Sequence, residues 1–214
     1  MRHLRPVLIT ILLLICCGTA SASFGLRPYA SAWFGVSLCH GTADYLQKYP
    51  GDGSIRTPFF RTSYDFGFDA NLLEAVFSVG EEGAVTFGGG ATYLNVSRSL
   101  AYGRSMLKPY SGFGFCVDAG YRFNPRFDVM LKYRRLYCSY TGTFASFIVQ
   151  DFEVVPSYAV VTPGAFDISV TLPVTVSYKA DAVSFRFGIG VLVSFDTRRA
   201  FGKKQAAVDE GGLE

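Results

Sequence analysis

Large apolar side chains recur at every second position over long stretches of this chain, which is the period of a strand with one face in an apolar environment. From Val183 to Phe195 the odd positions are Val183, Phe185, Phe187, Ile189, Val191, Val193 and Phe195. Between them lie Ser184, Arg186, Gly188, Gly190 and Ser194, with Leu192 as the exception. Asp167 to Tyr178 sets Ile168, Val170, Leu172, Val174, Val176 and Tyr178 against Asp167, Ser169, Thr171, Pro173, Thr175 and Ser177. Lys179-Ala180-Asp181 reads as a tight connection between these two strands. Gly112 to Phe123 and Phe127 to Arg134 alternate in the same way around a turn at Asn124-Pro125-Arg126. Phe60 to Leu72, continuing to Val79, and Ala84 to Val96 flank a turn at Gly80 to Gly83. A first strand covers about Leu26 to Leu38 and carries Trp33 and Phe34.

These strands are about 11 to 13 residues long, beyond the usual globular length of about 5–6. A strand crossing a bilayer at a tilt needs ~9–11 residues, so length favours a membrane. Both a soluble and a membrane barrel alternate with period two, and the polar face separates them. A soluble exterior should be dense in Lys and Glu. Here that face is Gly, Ser and Thr with isolated charges, including Gly88, Gly90, Gly112, Gly114, Gly120, Gly188 and Gly190. Small residues suit the narrow lumen of an eight-stranded ring. Tyr64, Tyr121, Phe123, Phe127, Tyr133, Tyr178 and Phe195 fit aromatic girdles at the membrane surfaces. The fold expected is all-β: a transmembrane antiparallel up-and-down β-barrel of about eight strands.

Composition sharpens this. Half of the 214 residues are hydrophobic and 17% are charged, against ~25% in soluble domains. No stretch after the N-terminal segment is apolar for long enough to span a bilayer as a helix. At the N-terminus, Arg2, His3 and Arg5 precede an apolar Val7 to Cys17 and the small residues Gly18-Thr19-Ala20-Ser21-Ala22. That is the layout of a secretory signal peptide, with cleavage expected after Ala22. Lipidation at Cys16 or Cys17 is disfavoured, because neither follows Gly, Ala or Ser. Residues 23–195 form the expected barrel and 196–214 a polar, disordered tail.

The net charge of +3 implies no nucleic-acid partner. Cys39, Cys116 and Cys138 are an odd set and no disulfide framework. A regular hairpin puts Cys116 opposite Arg134 and keeps it from Cys138, so the thiols are expected as small packing groups.

The chain resembles the small outer-membrane barrels, the group containing the OmpA transmembrane domain, OmpX and OmpW. The resemblance rests on Gly120-Tyr121-Arg122-Phe123-Asn124-Pro125-Arg126-Phe127 and on Gly190-Val191-Leu192-Val193-Ser194-Phe195. It implies an insertion signal carried by Gly190, Val193 and Phe195, contact with outer-membrane lipid, and handling by the barrel-assembly machinery. Such chains usually stop at the aromatic, whereas this one runs on for 19 residues. Passive transport of small or hydrophobic solutes is the first function implied, and a structural or adhesive barrel acting through surface loops is the second.

The polar face holds Arg61, Asp65, Asp69, Asp118, Arg122, Asp128, Lys132, Arg134 and Arg186. Charges away from bulk water need partners, so a mutually neutralising network filling the barrel is favoured over a selectivity lining. Lipid-modifying catalysis would rest on His40 with Asp44 and Ser37 or Ser54, a spacing without triad geometry. No enzyme activity, cofactor or metal site is expected. Cys39 to Phe59 and Tyr140 to Phe166 are expected to emerge from the membrane. Seven strands are clear, and the eighth needed to put both termini on one side is assigned within Thr143 to Val155. With short turns at Gly80–Gly83 and Asn124–Arg126 at one end, Lys179–Asp181 joins them there only if Tyr140 to Phe166 is one long loop.

Overall fold

The computed structural model describes residues 24–41, 59–79, 83–97, 109–141, 146–179 and 182–200, without the side chains of residues 40–41, 59–61 and 182. Eleven strands follow one another: β1 (Phe24–Leu26), β2 (Tyr29–Gly41), β3 (Phe59–Asn71), β4 (Ala75–Val79), β5 (Gly83–Val96), β6 (Tyr110–Asn124), β7 (Phe127–Tyr140), β8 (Ser146–Val161), β9 (Phe166–Thr171), β10 (Val174–Lys179) and β11 (Ala182–Phe195). Three pairs of them are single strands with a local break. β1 runs into β2 across Arg27-Pro28, β3 into β4 across residues 72–74, and β9 into β10 across Leu172-Pro173. Eight strands result, each antiparallel to the next, and β11 pairs with β2 from Ala182↔Gly41 to Ser194↔Tyr29. The sheet is thereby closed into an up-and-down ring with no free edge.

Each break has a chemical cause. Pro28 and Pro173 lack an N–H, yet their carbonyls still accept from Phe195 and Gly188. The break at Leu72–Glu74 is a one-residue bulge. The register shifts by one against both neighbours, and the outward positions switch from even to odd numbers. The bulge turns Glu74 inward and presses the backbone onto β5, where a Cβ at Gly90 would stand 2.1 Å from the Ala70 carbonyl oxygen.

The outward positions of the described strands are overwhelmingly apolar: Phe66, Phe113, Val117, Leu131, Phe187 and Ile189 are all roughly half exposed. The inward positions hold nearly all of the charge and are buried. A soluble barrel would have these faces exchanged. The ring is a transmembrane barrel, its wall solvated by lipid. Among the described residues no helix is long and apolar enough to cross a membrane, and the crossing elements are the strands.

The two ends differ. The terminal end carries the chain ends of the ring and the connections 80–82, 125–126 and 162–165. There Asn124 Oδ1 accepts from the amides of Arg126 and Phe127, closing the turn expected at Asn124–Arg126. The loop end carries 42–58, 97–109, 141–145 and 180–181. Phe24–Phe77, Tyr121–Phe123, Phe123–Phe127 and Phe166–Phe195 ring contacts, at 4.8–5.6 Å, build a girdle around the terminal end.

The structure corrects several expectations. The eighth strand is not confined to Thr143–Val155: β8 runs to Val161, so most of Tyr140 to Phe166 is wall rather than loop. Its alternation is masked because Phe147, Val149 and Val155 point inward into apolar clusters inside the ring. With β8 in place, the connection between Lys179 and Ala182 falls at the loop end, as the count of eight strands requires. Tyr133 sits in the middle of the wall against Phe152, not in a girdle. Cys116 and Cys138 are free thiols, Cys116 opposite Arg134 and Cys138 opposite Gly112, and Cys39 stands on β2 opposite Arg61.

A charge at the centre of the lipid-facing wall should be costly. Val117→Arg is expected to destabilise the barrel by about 2–4 kcal/mol, and Ser139→Arg near the loop-end rim by ~0–1 kcal/mol, read from denaturant unfolding in lipid vesicles.

Candidate functional site

The sequence-predicted residues meet inside the ring, because residues of one parity on every strand face the axis. At mid-height Asp69, from β3, accepts from Lys132 Nζ at 2.7 Å and from Arg134 Nε and Nη2 at 2.9 and 2.8 Å. Thr92 and Ser31 complete its shell at 2.7 and 3.2 Å. Arg134 reaches on to Glu153 at 2.7 Å, and Glu153 accepts from Thr175 at 2.9 Å. All of these acidic and basic side chains are buried.

Towards the loop end, Arg186 bridges Asp65 at 2.8 Å and Asp151 at 3.1 Å. Ser37 and Ser63 donate to Asp65, and Ser177 to Asp151. Trp33 lies between the two arginine layers, with the Arg186 guanidinium 4.7 Å and that of Arg134 5.5 Å from its ring. Stacking on an indole suits a guanidinium whose in-plane donors are committed to carboxylates. Above this layer the Lys179 ammonium sits 4.0–4.4 Å from the rings of Tyr110, Tyr140 and Phe147. Those three rings cover the lumen at the loop end.

Towards the terminal end, Arg27 holds Glu74 at 2.6 Å and Asp128 at 2.8 Å, and Ser157 donates to Asp128. Asp118 is held by neutral donors, Tyr29 Oη at 2.8 Å and Asn71 Nδ2 at 2.9 Å. Arg122 faces Asp167 at 3.5 Å and Asp196 at 3.7 Å. Beyond Phe195 the chain turns back over this opening, with residues 197–200 helical. Arg199 pairs with Asp167, Arg198 with Asp196 at 2.8 Å and with Ser78 Oγ at 2.7 Å, and Thr197 accepts from the Leu26 amide at 2.8 Å. Gly25 makes room for this turn: a Cβ there would stand 2.3 Å from Arg198 Cγ. Residues 201–214 lie outside the described residues.

Thus Asp65, Asp69, Asp118, Arg122, Asp128, Lys132, Arg134 and Arg186 converge on one interior. Arg61 is on β3 opposite Cys39, but its side chain lies outside the described residues. Gly190 faces inward against Thr171 and Trp33, Val193 faces lipid, and Phe195 packs on Phe166 at 4.9 Å. The sequence reading missed Arg27, Glu74, Asp151, Glu153, Asp167, Lys179 and Asp196. Asp151 and Glu153 were legible in the alternation Asp151, Glu153, Ser157 against Phe152, Val154, Tyr158. Arg27 and Glu74 were not, because each sits at a strand break where the period is lost.

What the site can do is limited by how full it is. An interior cavity of ≈ 10 Å³, lined by residues including Ser31, Trp33, Asp69 and Leu192, is space for about one water. Among the described residues no cluster of His, Cys, Asp and Glu could hold a metal ion. Ser37 is buried and donates to Asp65. The side chain of His40, and Asp44 and Ser54, lie outside the described residues.

No family model and no curated protein matches the chain. Solved barrels resemble it in outline. Neisserial surface protein A is 13% identical, over 82% of this chain and 99% of its own, with a TM-score of 0.43. Ail, the attachment invasion locus protein of Yersinia pestis, is 11% identical over 78% of this chain and 99% of its own, with a TM-score of 0.34. The Ralstonia pickettii toluene transporter TbuX is 9% identical over 79% and 89%, with a TM-score of 0.21. The architecture rests on the strand pairing above, not on these scores.

Asp69→Ala is expected to cost about 3–5 kcal/mol, because it strands Lys132 and Arg134 without a counter-charge; the unfolding midpoint in vesicles reads this. Gly25→Val is expected to push Arg198 out of its seat. Tryptic cleavage after Arg198 and Arg199, followed by intact mass, should then become several-fold faster than in the wild type.

Proposed function

We propose that this is an outer-membrane barrel that works through its loop-end surface, with the lumen serving as a structural core. The observation that carries this reading is the filled interior, in which three successive layers of ion pairs and a lysine under three aromatic rings occupy the axis. A solute path needs a continuous wet passage, and charges already neutralised by one another offer a passing solute little to bind. The same filling weighs against passive transport through the ring.

The outer membrane is supported by the apolar wall, by the even number of antiparallel strands typical of bacterial barrels there, and by the export signal expected at residues 1–22. Binding would then fall to the connections at the loop end, chiefly 42–58 and 97–109, since variable segments on a rigid frame are where recognition concentrates. Lipid and the barrel-assembly machinery remain the partners that such a life cycle requires.

Two measurements test this reading. Folded protein in planar bilayers should give no conductance steps above the lipid baseline; sustained steps would restore the transport reading. Cells displaying the protein should adhere to host-matrix components, and exchanging residues 42–58 for a short Asn-Gly turn should lower adhesion at least several-fold while leaving the heat-modifiable barrel band intact. Unchanged adhesion after exchange of both 42–58 and 97–109 would sink it.

A further inference from the structure

Of all the outward-facing positions on the described strands, one carries a charge. The lipid-facing residues of β7 are Phe127, Val129, Leu131, Tyr133, Arg135, Tyr137 and Ser139, and no other strand shows an Asp, Glu, Lys or Arg on that face. Arg134, its neighbour in sequence, points inward and is consumed by Asp69 and Glu153. Arg135 has no such partner. Its Nε is enclosed without a hydrogen bond, and no carboxylate among the described residues pairs with it. Directly across on β8 stands Gln150, a polar residue between the outward-facing Ile148 and Phe152, which accepts from Tyr133 Oη at 3.4 Å.

Height along the wall gives this pair a meaning. A strand rising ~3.4 Å per residue at ~45° tilt climbs roughly 2.4 Å per residue along the barrel axis. Arg135 is eight residues beyond Phe127 in the terminal-end girdle, which places its Cα about 19 Å above that girdle. The apolar band of such barrels is ~25 Å tall, so the guanidinium needs only to snorkel the last few ångströms to reach the far rim. The rim is visible in the register: Asn95, Ser111, Ser139 and Ser146 are successive cross-strand partners on β5 to β8. Arg135 therefore lies just inside the loop-end interface, beneath that polar row. Beside it an open groove on the outer wall is lined by the outward-facing Tyr137, Ser146, Ile148, Gln150 and Tyr178.

We infer that Arg135 and Gln150 form a binding site for the phosphate of a membrane lipid in the leaflet at the loop end, with the aromatic groove beside them holding the lipid's apolar part. The inference rests on the membrane orientation given above. A lone guanidinium facing lipid needs an anion, and the interface at that height supplies phosphate. Its planar fork can hold two phosphate oxygens through parallel N–H donors, whereas an ammonium acts as a point charge. Gln150 adds an amide donor, and Tyr133 fixes its orientation. Two adjacent arginines thus serve opposite solvents, one facing the lumen and one facing lipid.

The test uses the full mature chain in phosphatidylcholine nanodiscs doped with lipid A, read by native mass spectrometry. Wild-type protein should carry lipid A through detergent exchange, and Arg135→Gln should retain about tenfold less, since loss of one charge-assisted contact is worth roughly that factor. Arg135→Lys should fall between them. Lipid A stripped of its phosphates should show no difference between wild type and Arg135→Gln. Equal retention of lipid A by wild type and Arg135→Gln, or retention of the dephosphorylated lipid by wild type as strong as that of lipid A, would overturn the proposal. So would displacement of lipid A by millimolar inorganic phosphate, which would mark a site for any phosphate. A dimer that dissociates in Arg135→Gln would assign the residue to a second copy instead, also overturning it. Each variant is first checked for the heat-modifiable band: its absence in wild type would defeat the membrane reading itself, and its presence isolates the lipid question.

Discussion

Hydrocarbon offers no hydrogen bonds, and every feature of this molecule follows from that. A strand that crosses a bilayer must have both its edges paired, so the sheet has to return on itself. The pairing of β11 with β2 does this along the whole length of both strands. Once the ring is closed with eight strands, its interior is just wide enough for side chains to fill it. The outward face is apolar because lipid is its solvent, and the inward face must then hold what the lipid rejects. The inversion relative to a soluble domain is a consequence of closure rather than a separate property.

The packed lumen solves a charge-balance problem with uneven means. Among the described residues nine carboxylates and six cations are buried inside, so ion pairing among these leaves an excess of negative charge. Two devices absorb it. Asp118 is given a phenol and an amide instead of a cation, and serines and threonines fill out the shells of Asp65, Asp69, Asp128, Asp151 and Glu153. At the terminal end Arg198 and Arg199 supply two further cations from beyond the last strand. The turn after Phe195 is thus an electrostatic part of the barrel although it lies outside the sheet. Trp33 separates the two arginine layers and lets both guanidinium groups stack on one ring while each of them bridges two carboxylates.

Much of this was readable from alternation, and the failures are instructive. β6, β7, β10 and β11 were legible because their inward residues are small or charged and their outward ones large. β8 was obscured by the three inward apolar residues that pack against Trp33, Leu94, Leu136 and Met130. Leu192, the one irregular residue of the last strand, belongs to the same interior apolar filling. A barrel interior with apolar patches weakens the very contrast on which the period depends. The end that carries the connection after Lys179 hung on β8, since one strand more or less reverses every end assignment after it. Arg135 was passed over because a charge on the wrong parity looks like noise until the register shows where it stands.

The seam of the ring has one more consequence. Leu26 and Thr197 are hydrogen-bonded although 171 residues separate them. The contacts that close the barrel therefore carry the largest loop-closure entropy in the molecule, since they join its first strand to its last. Until they form, β2 and β11 are unpaired edges on an apolar ribbon, the state most open to aggregation. The chain has no useful half-folded form: folding is deferred to the moment at which its first strand meets its last.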